Sequence, residues 1–168
     1  MFFSNNFKKF KKINHCFFSR KNGFSRGIYQ SLNCGKGSND RIEKILKNLK
    51  FISNFIGVKK AKIILMNQTH SNKVIIINDK NKNNKKFNSD ALITKVKGIA
   101  LGVLTADCVP ILLYDKKNEI IGCIHAGWKG SILGIIDNTI SKMKKLVKNN
   151  EIYACVGPCI GKNSYEVD

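Results

Sequence analysis

An α/β (α+β) fold, a single domain built on a mixed β-sheet sandwich flanked by helices, is what the sequence predicts. Three observations carry that expectation. Short runs rich in Val and Ile crowd the middle of the chain, two longer stretches repeat apolar residues at three- and four-residue steps, and several short runs are apolar almost throughout. Val and Ile fit a pleated strand, the longer period marks a one-sided helix, and a continuously apolar strand needs cover on at least one face. At 168 residues the chain is long enough for one real core and too short for two comfortable domains.

Residues 1–12 read as a basic, poorly ordered leader, with the domain proper over 13–168. From Asn14 to Gly37, the turn-rich Arg20-Lys21-Asn22-Gly23 and Asn33-Cys34-Gly35-Lys36-Gly37 imply short strands and loops. Asp40 is the expected N-cap of a helix reaching about Ile56, with Ile42, Ile45, Leu46, Leu49, Ile52 and Phe55 on its apolar stripe and Gly57 as its stop. Strands are expected at Lys62–Met66, Lys73–Ile77, Ala91–Thr94, Ile99–Thr105, Val109–Tyr114 and Ile120–His125, with an exposed Lys/Asn loop at Asn78–Asn88. A second helix should run from Ser131 to about Lys148, turning Ile132, Ile135, Ile136, Ile140, Met143 and Val147 inward. A last strand, Glu151–Val156, ends at Gly157-Pro158.

The net charge is +19, and nearly all of it is Lys: Arg20, Arg26 and Arg41 are the only arginines. Readers of nucleic acid rely on Arg for bidentate contacts, so no specific nucleic-acid partner is expected, although polyanions will be attracted at low salt. The same surface suits a phosphate-bearing substrate. No apolar run approaches the ~20 residues of a membrane span, and the N-terminus lacks the apolar core of about 7–15 residues of a signal peptide. A cytoplasmic protein without a membrane partner is the expectation. The six cysteines should then be reduced thiols, with Cys123 and Cys155 as small buried hydrophobes.

Three residues stand apart from packing needs. Cys108 in Thr105-Ala106-Asp107-Cys108-Val109-Pro110, His125 in His125-Ala126-Gly127-Trp128-Lys129-Gly130, and His70 in Gln68-Thr69-His70 each sit at the end of an apolar run. Two imidazoles and a thiolate are the ligand set of a catalytic zinc site with one open position. Two other readings stay open: partly buried structural histidines beside a buried thiol, or a thiol hydrolase with Cys108 as nucleophile and His125 or His70 as base. Asp107 suits orientation of a loop or of a ligand imidazole. Trp128 suits stacking on a planar base or plain packing. Arg20 is a candidate for bidentate phosphate binding, and His15 reads as structural.

At these residues the chain resembles the laccase-domain purine nucleoside phosphorylases, also called polyphenol oxidases or peptidoglycan editing factors. The likeness runs through His15–Gly23, Tyr29–Gly35, Gln68–His70, Asp90-Ala91, Thr105–Pro110, His125–Gly130, Val156–Gly161 and Ser164–Val167. The resemblance implies a zinc ion held by His70, Cys108 and His125, with copper as an alternative ion, and puts Arg20, Asn33, Asp107 and Trp128 forward as substrate contacts. The implied chemistry is phosphorolysis of adenosine, inosine, guanosine and methylthioadenosine, with adenosine deamination as a second activity; the partners are a purine nucleoside and phosphate. Thr69 and Ser71 replace the Val and Gly of many members. Members also continue past the last motif by about half a typical domain, so the expectation is a domain lacking its C-terminal third. A Cys-His hydrolase of amide or peptidoglycan-type substrates and an inactive truncated homologue are the alternatives.

Overall fold

The computed structural model describes residues 1–59, 62–84 and 86–166; Lys85 of the polar loop and Val167 of the last motif lie outside them. The chain forms two compact units, Met1–Ile63 with Gly98–Ala100 and Ile64–Lys97 with Leu101–Asp168.

In the first unit, residues 1–12 carry a one-turn helix α1 (Asn5–Lys8) whose Phe7 is buried, and Phe2 bridges to Phe17. His15 is structural as expected: its Nε2 accepts the Ser4 N–H and its ring meets Phe3 and Phe7 edge-on. Burial of that imidazole, aided by the Lys8 charge, lowers its pKa despite the opposing Ser4 hydrogen bond. Helix α2 (Ile42–Ile56) matches the apolar stripe, and Gly57 ends it in the left-handed conformation, φ 80°. The expected cap is different. Arg41 holds the N-cap place without a side-chain bond, while Asp40 accepts from Ser25, Asn33 and the adjacent Arg41 N–H. Asn48, on the buried face of α2, accepts from Phe24 N–H and donates to Ser25 Oγ and the Ser31 and Asn33 carbonyls. A polar residue thus ties the 23–33 loop to an apolar stripe, satisfying groups that burial would otherwise penalise.

The second unit holds β1 (Ile63–Leu65) and β4 (Ala100–Gly102), each beginning at the unit's edge, with β2 (Val74–Ile77), β3 (Ala91–Thr94), β5 (Val109–Asp115), β6 (Ile120–Ala126) and β7 (Ile152–Val156). A five-stranded sheet runs β2-β3-β6-β5-β7, mixed because β2 and β3 are parallel and the other pairs antiparallel. β1 and β4 make a separate ribbon. The central strands are those apolar almost throughout, as full cover requires. Ile93, Ile124, Ile120, Ile135 and Met143 form the core between this sheet and the helical segment after it. Each such side chain contributes about 1.5–3 kcal/mol when fully buried.

The expected single helix after Gly130 is two: α3 (Trp128–Ile132) and α4 (Ile135–Lys145), separated by Gly134 at φ 80°. A helix cannot continue through a left-handed residue, so the apolar periodicity survives a break that it does not reveal. The strand expected over Ile99–Thr105 is only Ala100–Gly102, because Leu104 bonds the Gln68 side chain instead of a neighbouring strand. Within the polar loop, Phe87 is buried rather than exposed. Cys123 and Cys155 are buried, and burial pushes the Cys123 thiol up to about 12. Among the described residues no helix is long and apolar enough to cross a membrane.

Candidate metal centre

Three segments of the second unit deliver the site. His70 follows β1, Cys108 precedes β5 and His125 lies on β6, where it stands opposite Pro110. Their ligand atoms all lie within 4.8 Å of one another. His70 is exposed, Cys108 half-buried and His125 buried, so the cluster opens on one side. The two imidazoles meet edge-on at 4.8 Å between centroids.

A residue that the sequence placed in a shared motif, Asp90-Ala91, but without a role of its own organises this cluster. Asp90, fully buried just before β3, accepts the N–H groups of Thr69, His70 and Ser71 and the hydroxyls of Thr69 and Ser71. It also lies 2.8 Å from His125 Nδ1. Burial raises the Asp90 carboxyl, but the bonds from His125, Ser71 and Thr69 outweigh it and hold the pKa down at about 2. A carboxylate only accepts, so Nδ1 carries the proton and donates, and Nε2 presents its lone pair to the cluster. Orientation of an imidazole was one role open to Asp107; Asp90 performs it. Asp107 is exposed, and its carbonyl accepts from Ile160 N–H. The available signal for Asp90 was an acidic residue at the head of an apolar strand.

Backbone geometry tightens the site. His70 has φ 55°, a left-handed conformation that side chains seldom adopt, and the carboxylate of Asp90 holds its N–H there at 3.0 Å. Gln68 donates to the Leu104 carbonyl at 2.7 Å and accepts its N–H at 2.9 Å, coupling the loop that carries His70 to the segment leading to Cys108. A Cβ on Gly127 would lie 2.8 Å from His70 Cδ2 and 3.2 Å from Cys108 Sγ, so only glycine lets the turn into α3 approach the cluster. Trp128 follows at once and is 42% exposed, available for stacking rather than spent on the core.

The remaining candidates belong to the first unit. Arg20 Nε donates to the Gln30 carbonyl at 2.6 Å. Asn33 donates to Ser38 and Asp40 and accepts the Gly35 N–H, which commits its amide to the loop's own shape.

The residues fit a metal ion. Two nitrogen donors and one sulfur donor converge within a single ion's reach, one imidazole has its tautomer fixed by a carboxylate, and the cradle excludes even a methyl group.

The chain is similar to several known proteins. Residues 14–168 match the family described as multi-copper polyphenol oxidoreductase laccase. A purine nucleoside phosphorylase of Bacteroides thetaiotaomicron is 34% identical, over 94% of this chain and 62% of its own length. One from Corynebacterium glutamicum is 35% identical over 94% of this chain and 65% of its own length, and one from Rickettsia prowazekii is 41% identical over 74% and 50%. The crystal structure of a Bacillus licheniformis hypothetical protein, YfiH, superposes with a TM-score of 0.83 at 28% identity, covering 89% of this chain and 59% of that one. The chain therefore spans less than two thirds of the relatives it matches.

Proposed function

The chain belongs to the multi-copper polyphenol oxidoreductase laccase family, and from that premise we propose that it carries the metal centre of a zinc-dependent purine nucleoside phosphorylase that also deaminates adenosine. The observation that carries this reading is the His70–Cys108–His125 cluster with Asp90 behind it. Relatives covering most of this chain bear the phosphorylase name. Two imidazoles and one thiolate with an open side are the ligand set of a catalytic zinc site, which favours zinc.

When bound, the zinc ion supplies Lewis-acid polarisation on the open side of the site. His70, Cys108 and His125 hold it, and Asp90 keeps His125 in the ligating tautomer. Gly127 brings the turn close, and the exposed Trp128 indole offers a face for the purine. Phosphorolysis also needs a phosphate set against the ribose carbon with cationic support. The substrates in this reading are adenosine, inosine, guanosine and methylthioadenosine.

The test incubates Zn2+-loaded protein with adenosine, with and without phosphate, and separates adenine, ribose 1-phosphate and inosine by chromatography. Adenine formed only with phosphate, and lost in Cys108→Ala, is the expected result. Activity that survives chelation yet vanishes on alkylation of Cys108 would replace it with the thiol-hydrolase reading. Zn2+ bound without any product would refute activity of this chain and leave a metal-binding homologue.

A further inference from the structure

Cys159 has no part in the site described so far, yet the segment that carries it is hydrogen-bonded to the one that carries Cys108. Strands β5 and β7 pair antiparallel, with Leu112 opposite Cys155 and Ile111 opposite Val156. Beyond the last paired residues the two chains stay together: Gly157 N–H donates to Pro110 O at 2.8 Å and Ile160 N–H to Asp107 O at 3.0 Å. Those two bonds flank the cysteines on both segments: Cys108 lies between Asp107 and Pro110, and Cys159 between Gly157 and Ile160. A disulfide needs Cα atoms about 4.4–6.8 Å apart, a span that backbone segments joined by hydrogen bonds on both sides of the two cysteines bring within reach. Both are free thiols, Cys159 exposed and Cys108 half-buried. The buried Cys123 and Cys155 have no such access.

We infer that Cys108 and Cys159 form a reversible disulfide that withdraws the only sulfur ligand from the metal centre. The inference rests on the reading of Cys108 as a ligand. The oxidant is a peroxide. The exposed Cys159 sulfur attacks one peroxide oxygen, the O–O bond breaks, and a sulfenic acid and water result. Cys108 sulfur then attacks the Cys159 sulfur; the S–S bond forms, the S–O bond breaks, and a second water leaves with the thiol proton. The two sulfurs together lose two electrons, and the peroxide gains them. A thiol reductant reverses the bond by exchange, restoring the thiolate. In the oxidised chain His70 and His125 alone face the metal, too few for a stable zinc site.

The experiment uses the full chain. Zn2+ affinity is measured by competition with a chromogenic chelator in the reduced protein, after hydrogen peroxide, and after dithiothreitol; unreduced digests are mapped by mass spectrometry. The expected result is a peptide pair joining Cys108 to Cys159. Zn2+ affinity should fall by more than about 100-fold, beyond what loss of an outer-shell partner causes, and recover with dithiothreitol. Cys159→Ser, an exposed substitution, should bind Zn2+ as the parent does when reduced. Under prolonged peroxide it should form no pair and lose Zn2+ in a way dithiothreitol does not reverse. Loss and recovery in Cys159→Ser identical to the parent, or absence of the linked pair in oxidised parent, would overturn the disulfide while leaving Cys108 a ligand. Reduced parent and Cys108→Ala binding Zn2+ equally would instead overturn the ligand reading, and the switch with it.

Discussion

Replacing Asp90 by Asn tests the organisation of the site most directly. Asn has the same size and resembles the protonated carboxyl, so it removes the charge while keeping one acceptor. In the folded chain the carboxyl titrates at about 2, against 3.8 without the fold. That gap corresponds to roughly 2–3 kcal/mol of stability supplied by the charged form, at about 1.4 kcal/mol per pKa unit. The folded value is the lower one, so the contribution is fully present above about pH 4 and is lost as pH falls through about 2. Urea unfolding of metal-free parent and Asp90→Asn at pH 5, 4, 3 and 2 is the assay. The parent should lead by about 2 kcal/mol or more at pH 5, and that lead should shrink by about 2 kcal/mol on reaching pH 2. At pH 7 the variant should also bind Zn2+ about 10–100-fold more weakly, because His125 loses the partner that fixes its tautomer. A stability difference independent of pH, with Zn2+ affinity unchanged, would refute the reasoning.

Gly127→Ala places a Cβ 2.8 Å from His70 Cδ2 and 3.2 Å from Cys108 Sγ; Zn2+ competition should show about 10-fold or greater loss of affinity, comparable with outer-shell disruption. Asp115 accepts from Lys117, Asn118, Asn150 and Glu151 where β5 turns towards β6. Burial raises its pKa, but bonds from Asn150, Asn118 and Glu151 outweigh this and lower it; Asp115→Asn should therefore be destabilising near neutrality, with the difference fading as acid unfolding scans descend below about pH 4. Met143→Ala, in the fully buried core, should cost about 2–5 kcal/mol in denaturant unfolding while leaving Zn2+ stoichiometry intact.

The fold was legible where burial and period coincide. Runs such as Ala91–Thr94 and Ile120–His125 are strands because their continuous apolar character only makes sense between two covered faces. The helix boundaries were less so. Gly134 breaks the second helix through its backbone torsion, and one glycine amid a continuing apolar stripe does not announce a left-handed residue. His70, Cys108 and His125 could be picked out as chemically idle in packing, and their convergence confirms that the strand ends meet. Asp90 escaped because its partners come from a loop about twenty residues before it and a strand end thirty-five residues after it. Such a role is set by tertiary structure and has no local spacing. Asn48 is similar: its polarity on an apolar helix face signals a partner, but the loop that supplies the partner is not evident from the helix.

Asp90 and Asp115 are two of only 11 acidic residues, and both are sealed inside. Their charges are answered by backbone and amide donors and, for Asp90, by His125, instead of by lysine. Most of the described lysines face water, with even fewer anions among them than composition suggests. Beyond its chemistry, this chain is therefore a polycation that seals two of its 11 negative charges inside. Small anions will be enriched in a layer about 8 Å deep at physiological salt. Their encounter rate with the protein should fall steeply as salt compresses that layer, whichever side chains finally receive them.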